Sequence, residues 1–321
     1  LKVSILRAVT LLALSVVLIT SLETDKYLGQ IWAVLIVGFI ISVYIFYLIK
    51  DDLRLSFDIR HFKYILNYSV PLLPYHISAL ILAQFSRLMI NSSSGSAEAG
   101  LFSFAFNIGM ILSIVNISTN KAILPDFFDF LDKGEHKRLD QLIRKMFSVV
   151  LFAALGLVLF AKEIVTIMAD EKFHIALPIV PIIVTAYVFD AIFFIYSRYV
   201  IHSKKTYYLS IALVIAGLVN VILNLIYIPE FGYQAGAYAT FFSYVALAAI
   251  IWFITKYILK YRVTQLKILA KPLVVFGLFF GIFYLSGRYI DNAVIMFAVK
   301  SVLLVLFIPL VLRNEMKKLL K

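Results

Sequence analysis

Long runs of apolar residues alternate with short polar segments along the whole chain. Ten such runs cover residues 3–21, 28–49, 65–92, 97–120, 146–168, 176–199, 206–228, 234–255, 270–287 and 293–312. Residues 31–49 hold nineteen positions without a charge, and a bilayer core about 30 Å thick needs roughly 20 helical residues. The runs are continuous and too long for the alternating strands of an outer-membrane barrel. The pattern therefore predicts an all-α, polytopic membrane protein with ten transmembrane helices.

The composition fits lipid better than water. Hydrophobic residues make up 63% of the 321 positions and charged residues 15%, whereas soluble domains average roughly half and a quarter. The chain has no cysteine, which excludes disulfides, thiol nucleophiles and thiolate metal sites. The formal net charge of +12 is spread over many short loops, so we expect no nucleic-acid partner.

The thirty Lys and Arg residues alternate between loops in a way that predicts topology. Twenty-four lie in one set of loops, and the opposite set holds only Lys26, Lys162, Lys172 and Arg288. Short cytoplasmic loops carry the excess of Lys and Arg in membrane proteins. We therefore predict that both ends of this chain are cytoplasmic.

Three ionisable residues, Arg87, Asp190 and Lys300, stand away from the ends of apolar runs, with apolar residues on both sides. A charge at the bilayer centre costs at least about 2.5–3.5 kcal/mol, so each should face protein or water. Arg87 fits a fixed cation that attracts an anionic head group in a central cavity, because guanidinium pairs bidentately with phosphate. The alternative is a structural ion pair with Asp190. Asp190 is also a candidate proton or sodium site, and Lys300 is either a second cavity cation or a side chain that extends to the external interface.

Uncharged polar side chains lie in the same apolar runs. They are Gln84, Asn107, Asn116, Asn220 and Asn224. Amides inside membranes commonly join helices by hydrogen bonds. We expect that role for Asn220 and Asn224, with direct substrate contact as the alternative, and we predict that Gln84 and Asn107 contribute to the cavity.

Pro71 and Pro74 interrupt the third apolar run. Each proline removes a backbone donor and frees the carbonyl four residues back. We predict a kinked, partly hydrated helix with a hinge at this place, as in the broken helices of transporters; a bend for packing is the alternative. His76, two positions further on, is predicted to be a satisfied interior group or a polar cavity contact.

Enzyme motifs are missing from the sequence. It holds no HExxH, Walker loop, GxSxG or clustered His and carboxylate set, so the spacing suggests no catalytic residue, metal site or cofactor. The longest stretch outside the apolar runs, residues 122–145, is predicted to be a cytoplasmic linker with two short amphipathic halves broken at Gly134.

Three stretches resemble one known family. They are YILNYSVPLLPYHISALILAQFSRLMINSSSGSAEAGLFSFAFNIG at 64–109, ILPDFFDFLDKGE at 123–135 and NVILNLIYIPEFGYQAGAYATFFSY at 220–244. The chain resembles the Wzx-type flippases of O-antigen and capsule repeat units, members of the multidrug/oligosaccharidyl-lipid/polysaccharide exporter superfamily. That family often places an acid before the intramembrane arginine, whereas Ser86 stands here. The departure weakens any local acid–arginine pair.

The resemblance implies a MATE/MOP-like bundle of two six-helix lobes with an extra helix pair. The chain starts at Leu1, and we interpret it as the last ten helices of fourteen, with about four preceding helices absent. The expected parts are the end of the N-terminal lobe at 1–49, a cytoplasmic linker at 50–63, the C-terminal lobe at 64–258 and the extra pair with its tail at 259–321.

The function implied by the resemblance is non-enzymatic. An undecaprenyl-diphosphate-linked oligosaccharide would move from the inner to the outer face of the bacterial cytoplasmic membrane by alternating access, for O-antigen, lipopolysaccharide, capsule or exopolysaccharide synthesis. Expected partners are this lipid-linked substrate, membrane lipids, other polysaccharide-assembly membrane proteins and H⁺ or Na⁺ as a coupling ion.

Three rival hypotheses remain open from the residues. The first is a cation-coupled multidrug exporter of the same superfamily, which the buried Asp190 favours. The second is a membrane polysaccharide polymerase or ligase, although the large external loop of such enzymes is absent from the sequence. The third is a shortened chain that does not transport.

Overall fold

The computed structural model describes residues 2–22, 25–50, 58–70, 73–264, 266–287, 289–290 and 292–319. Within these ranges the chain forms α-helices and no strand, so the predicted all-α class is confirmed. The helices are α1 (Lys2–Ser21), α2 (Lys26–Ile49), α3 (Ile59–Ser69), α4 (Leu73–Ser94), α5 (Ser96–Asp132), α6 (His136–Leu159), α7 (Ala161–Met168), α8 (Val180–His202), α9 (Tyr207–Phe253), α10 (Leu266–Ser286) and α11 (Ala293–Leu319).

Seven helical stretches of the described chain are long and apolar enough to cross a membrane. They lie in α2, α5, α6, α8 with its preceding turn, α9 with its following turn, α10 and α11. The chain is therefore a multi-pass membrane protein. The stretch Tyr207–Ile258 has 52 residues, about twice what one crossing needs. The total of ten crossings stays a prediction.

Backbone contacts divide the chain into two units, Leu1–Leu66 and Asn67–Lys321. The four expected parts, 1–49, 50–63, 64–258 and 259–321, stay predictions. We call the two units the N-terminal and C-terminal units.

In the N-terminal unit, α1 and α2 pack through small residues. Gly29, Ala33 and Val37 are the buried residues of α2. A Cβ atom built on Gly29 would lie 2.8 Å from the Ile19 nitrogen and from the Leu18 carbonyl carbon. The two backbones approach this closely only because Gly29 has no side chain, which is a common way to join helices in lipid.

The predicted proline hinge coincides with a helix boundary. The apolar run 65–92 is not one helix, because α3 ends at Ser69 and α4 begins at Leu73. Pro71 lies outside the described residues. Pro74 occupies the first turn of α4, where its missing N–H would have no partner in any case. Pro74 therefore starts a helix instead of kinking the interior of one.

The stretch 122–145 also differs from the prediction. Its first half continues α5 to Asp132, and its second half begins α6 at His136. The break does fall at Gly134, which has φ +67°, a conformation that glycine adopts with little strain. The two amphipathic halves are thus extensions of the flanking helices.

The core of the C-terminal unit is centred on α8. Fifteen of its 23 residues are buried, and it packs against α5, α6 and α9. Because neighbouring helices surround α8, polar groups in its middle part such as Asp190 and Ser197 are held inside protein.

The long helix α9 is broken at Gly232, which has φ 58° and ψ −144°. Glu98 Oε2 of α5 accepts a hydrogen bond from the Tyr233 backbone nitrogen at 3.2 Å. A carboxylate there meets the positive end of the second half of α9. The break divides α9 close to the boundary between the predicted segments 206–228 and 234–255.

The segment after α9 is bonded to the last turns of α8. The Tyr196 hydroxyl donates to the Thr264 carbonyl at 3.3 Å, and the Tyr199 and Thr264 hydroxyls lie 3.3 Å apart. His202 Nδ1 lies 2.9 Å from the Tyr261 hydroxyl. These contacts connect the entry to α10 with the central helix.

Candidate functional site

The guanidinium of Arg87 is held by two amide side chains. Arg87 Nη2 donates to Asn107 Oδ1 of α5 at 3.0 Å, and Nη1 donates to Gln84 Oε1 of α4 at 3.4 Å. The Phe106 ring lies 4.7 Å from Arg87 Cζ, within the range of a cation–π contact. Arg87 is partly buried, and its Nε has no hydrogen-bond partner in the described chain.

The positive charge of Arg87 has no acidic partner. Among the described residues, no carboxylate oxygen lies within 4.0 Å of its guanidinium. Because the oxygens of Gln84 and Asn107 face Arg87, their NH₂ groups face away from it. Both amides are exposed. The arrangement therefore presents hydrogen-bond donors around an uncompensated cation, which suits an anion.

Asp190 lies in α8 and is 8% exposed. Asn116 Nδ2 of α5 donates to Asp190 Oδ2 at 3.1 Å and to the Tyr187 carbonyl at 2.9 Å. In the described part of the chain, no Lys, Arg or His nitrogen comes within 4.0 Å of the Asp190 carboxylate. A carboxylate in this position can bind a proton or a small cation.

Aromatic rings separate Arg87 from Asp190. The Phe106 ring, which contacts Arg87, meets Tyr187 edge-on at 6.0 Å. Tyr187 lies 5.7 Å from the Tyr244 ring of α9. The ion pair offered as an alternative for Arg87 and Asp190 is not formed, since no Arg87 nitrogen lies within 4.0 Å of the Asp190 carboxylate. Each charged group is instead hydrogen-bonded to an asparagine from α5.

Lys300 is paired with an acid that the sequence analysis did not consider. Its Nζ lies 2.6 Å and 2.9 Å from the two carboxylate oxygens of Glu163 in α7. Lys300 is 3% exposed, and the Phe283 and Phe160 rings lie 5.5 Å and 5.9 Å from its Nζ. The pair joins α11 to α7, and the Lys300 charge is neutralised within the protein.

The asparagines of α9 form hydrogen bonds between helices. Asn224 Nδ2 donates to Ser86 Oγ of α4 at 3.0 Å and to Asn220 Oδ1 at 2.8 Å. Asn220, Asn224 and Ser86 are all buried. The geometry is that of residues holding α9 against α4. His76 is exposed and lies edge-on to Tyr75, with ring centroids 5.3 Å apart.

A family model described as a polysaccharide biosynthesis protein matches residues 1–178, more than half of the 321 residues. The chain belongs to this family. The matched part of the chain ends before Asp190 and includes the site residues Gln84, Arg87, Asn107 and Asn116.

Two proteins of Haemophilus influenzae are similar over part of their length. One, from the Lsg locus, is 24% identical over 153 residues, covering 46% of this chain and 38% of that protein. The other, an uncharacterised membrane protein, is 26% identical over 137 residues, covering 41% of this chain and 34% of that protein. The aligned segments thus span little more than a third of these relatives.

A solved structure has the same fold over nearly the whole chain. It is the lipid II flippase MurJ in an inward closed conformation, with a TM-score of 0.67 and 18% identity. The match covers 97% of this chain and 68% of that chain. The resemblance to polysaccharide exporters drawn from the sequence is confirmed for family and fold.

A further buried cation, Arg198, was not predicted from the apolar runs. Arg198 is 1% exposed, although the charge pattern assigned it to a cytoplasmic loop. Its guanidinium donates to the Asn120 side-chain oxygen and lies 5.1 Å from the Phe127 ring centroid. Its Nη1 is buried without a hydrogen-bond partner in the described chain. The aromatic sequence FIYSRYV around Arg198 is the one signal that indicated burial.

Proposed function

We propose that this polysaccharide biosynthesis protein moves undecaprenyl-diphosphate-linked oligosaccharide repeat units across the bacterial cytoplasmic membrane. Movement would run from the inner to the outer face by alternating access, with both ends of this chain cytoplasmic. Family membership supports polysaccharide synthesis, and the fold shared with a lipid II flippase supports translocation of a lipid-linked substrate. The proposal describes a transporter for O-antigen, capsule or exopolysaccharide synthesis and involves no enzyme chemistry.

The observation that carries the proposal is that Arg87 is a cation without an acidic partner among the described residues, held by two amides whose NH₂ groups face away from it. A diphosphate offers several anionic acceptor oxygens, and guanidinium bonds such groups in a bidentate manner. The outward NH₂ groups of Gln84 and Asn107 add neutral donors beside the cation. Organic cations, by contrast, would be repelled by Arg87. The site therefore favours a lipid diphosphate or an acidic sugar.

Asp190 is the candidate site for a coupling ion. It is buried, and Asn116 is its only hydrogen-bond partner in the described chain. Transporters commonly place such carboxylates where protonation or cation binding biases one conformation. We propose that H⁺ or Na⁺ binds here during the transport cycle, out of contact with the anionic substrate at Arg87.

A flipping assay tests the proposal directly. The full gene product is reconstituted into vesicles with a fluorescent undecaprenyl-diphosphate oligosaccharide, and arrival at the opposite leaflet is measured with a membrane-impermeant glycosidase. We expect Arg87→Gln to reduce the initial rate at least ten-fold. The control is Arg138→Gln, since Arg138 is exposed and paired with Glu135 at 2.8 Å; this variant should retain the wild-type rate.

Other outcomes would favour the rival hypotheses. Unchanged flipping by Arg87→Gln together with loss of cationic dye export by Asp190→Asn would support a multidrug exporter. Formation of new glycosidic bonds by the purified protein would support a polymerase or ligase. Failure of the wild-type protein to flip any lipid diphosphate would reject the proposed function.

A further inference from the structure

A second candidate binding site lies at one end of α9, away from Arg87. An apolar groove of about 600 Å³ runs between the start and the end of this broken helix. Its walls include Tyr208, Ile211 and Ile215 on one side and Trp252 and Phe253 on the other. The volume falls within the range of roughly 300–1,000 Å³ that is usual for small-molecule sites. Such a groove in a membrane helix pair can hold a hydrocarbon chain.

Lysines flank this groove on both walls. Lys256 Nζ lies 5.0 Å from the ring centroids of both Trp252 and Tyr257, so an ammonium group stands at the groove edge. On the opposite wall, the Tyr208 backbone nitrogen donates to the Lys205 carbonyl at 3.2 Å, so the Lys205 backbone lies one turn before the groove-lining Tyr208. Lys204, Lys205, Lys256 and Lys260 are all exposed.

These lysines are not neutralised by acids. Between residues 203 and 264 the sequence contains one acid, Glu230, which lies beside the α9 break at the other end of the helix pair. In the described chain no carboxylate comes within 4.0 Å of any of the four ammonium groups. The acids near this end include Asp132, which is bound to His202 at 2.7 Å, and Asp140, which lies near Tyr196 and Tyr199. The groove mouth is therefore strongly positive.

The opposite end of the same helix pair offers an internal comparison. A groove of about 590 Å³ is lined there by residues that include Tyr227, Phe231, Tyr238 and Phe242. Its size and apolar walls resemble those of the first groove. However, residues 221–245 contain no Lys or Arg. Charge, not shape, distinguishes the two ends.

We propose that the groove between Tyr208 and Trp252 binds an anionic phospholipid from the leaflet at this end of α9. The acyl chain would lie along Ile211, Ile215 and Phe253, while the phosphate would contact Lys256 and Lys205. Anionic lipid surfaces attract basic segments next to membrane helices, and tryptophan and tyrosine favour the head-group level. The π-helical turn Ile254–Ile258 carries Lys256, and such turns recur at functional sites.

The chain contains a built-in reporter for this site. It has two tryptophans, Trp32 in α2 and Trp252 in the groove. Trp32→Phe leaves Trp252 as a single fluorophore. The protein is placed in phosphatidylcholine nanodiscs that contain one of two lipids brominated in mid-chain, either phosphatidylglycerol or phosphatidylcholine. Quenching of the Trp252 fluorescence is measured against the mole fraction of the brominated lipid. We expect phosphatidylglycerol to reach half-quenching at an about five-fold lower fraction, the change expected from one net basic contact.

Matched charge variants test the head-group contact. Lys205→Gln, Lys256→Gln and Lys260→Gln together should abolish the preference for phosphatidylglycerol. The control combines Lys50→Gln, Arg60→Gln and Lys63→Gln, which remove three positive charges from the N-terminal unit. These residues are also predicted to be cytoplasmic, and their replacement should leave the preference for phosphatidylglycerol intact. Inorganic phosphate in excess should not compete, because it has no acyl chain.

The groove itself is tested by steric filling and by its counterpart. Ala249→Phe should reduce quenching by both brominated lipids, since Ala249 lines the groove. A reporter at the other end, Phe231→Trp in a Trp32→Phe and Trp252→Phe background, should show no anionic preference. Equal quenching by the two lipids in the parent protein would overturn the proposal. Loss of the preference in the N-terminal control would do the same, since it would indicate general surface charge.

Discussion

Asn116 in α5 places one amide nitrogen 3.1 Å from Asp190 Oδ2 and 2.9 Å from the Tyr187 carbonyl oxygen. Both acceptors belong to α8, so one side chain ties the carboxylate to the backbone of its own helix. The oxygen of Asn116 has no hydrogen-bond partner in the described chain. The contact gives the buried Asp190 carboxyl group a hydrogen-bond donor from α5.

The first prediction concerns this contact. Asn116→Leu should lower the free energy of unfolding by about 1–3 kcal/mol, because a buried carboxylate loses its donor. The double variant Asn116→Leu with Asp190→Leu should lose less than the two single variants summed. Equilibrium unfolding in mixed SDS micelles measures all three. Strict additivity would show that the two side chains are not coupled.

The second prediction concerns the break in α9. Gly232→Ala should lower the free energy of unfolding by about 2 kcal/mol, because it adds backbone strain and displaces the Glu98 side chain. Its new Cβ would lie 2.6 Å from Glu98 Oε2, so Glu98 must move and give up its hydrogen bond to the Tyr233 backbone nitrogen. Gly95 is the control, since it also has positive φ, 87°, but a Cβ atom added there would have no neighbouring atom within 4 Å. Gly95→Ala should cost about 1 kcal/mol, from strain alone. Equal losses in the two variants would remove the Glu98 contact from the explanation.

The third prediction concerns the pair of Lys300 and Glu163. Breaking a fully buried pair costs roughly 3–5 kcal/mol, but the Glu163 side chain is 35% exposed. We therefore expect Lys300→Met to lower the free energy of unfolding by about 2 kcal/mol. The exchange Lys300→Glu with Glu163→Lys should recover part of this loss. A lower free energy of unfolding in the exchanged protein than in either single variant would show that the orientation of the pair, not its charge, determines its contribution.

The sequence predicted the fold because lipid limits the choices. Backbone groups in the bilayer must be satisfied within each segment, so long apolar runs indicate helices. Gly134 and Gly232 mark breaks for a local reason, since both have positive φ. These features depend on neighbouring residues, and they can be inferred without tertiary contacts.

The contacts of the candidate site could not be inferred in the same way. Lys300 and Glu163 are 137 positions apart, and Asn116 and Asp190 are 74 apart. Their positions in apolar runs indicated that Arg87, Asp190 and Lys300 are costly in lipid. The same positions did not indicate which residue pairs with or hydrogen-bonds to each side chain. Arg198 was misplaced because α8 continues to His202, which puts Arg198 within the packed helix.

The fourth prediction concerns alkaline pH. Burial, and then the nearby Asp132 carboxylate, raise the pKa of the Tyr261 hydroxyl. A group whose pKa is higher in the folded than in the unfolded state contributes its full stabilisation below the unfolded pKa, which is about 10 for tyrosine. That contribution is lost as the pH rises from the unfolded pKa through the folded pKa. The wild type should therefore lose more thermal stability between pH 9 and pH 11 than Tyr261→Phe. Parallel losses would show that Tyr261 does not contribute.

The last prediction concerns Arg198, whose guanidinium is bound by Asn120 and lies near Met146 Sδ at 3.7 Å. Replacing a buried ion pair by apolar side chains is often neutral or stabilising, and removal of the Arg198 charge leaves behind only the neutral, half-buried Asn120. We expect Arg198→Met to stay within about 1 kcal/mol of the wild-type free energy of unfolding. Asn120→Leu should cost about 2 kcal/mol, because the buried guanidinium loses its main acceptor. In the Arg198→Met background the same Asn120→Leu change should cost little. A large loss of unfolding free energy on Arg198→Met alone would contradict this expectation. It would mean that the Arg198 charge itself stabilises the fold.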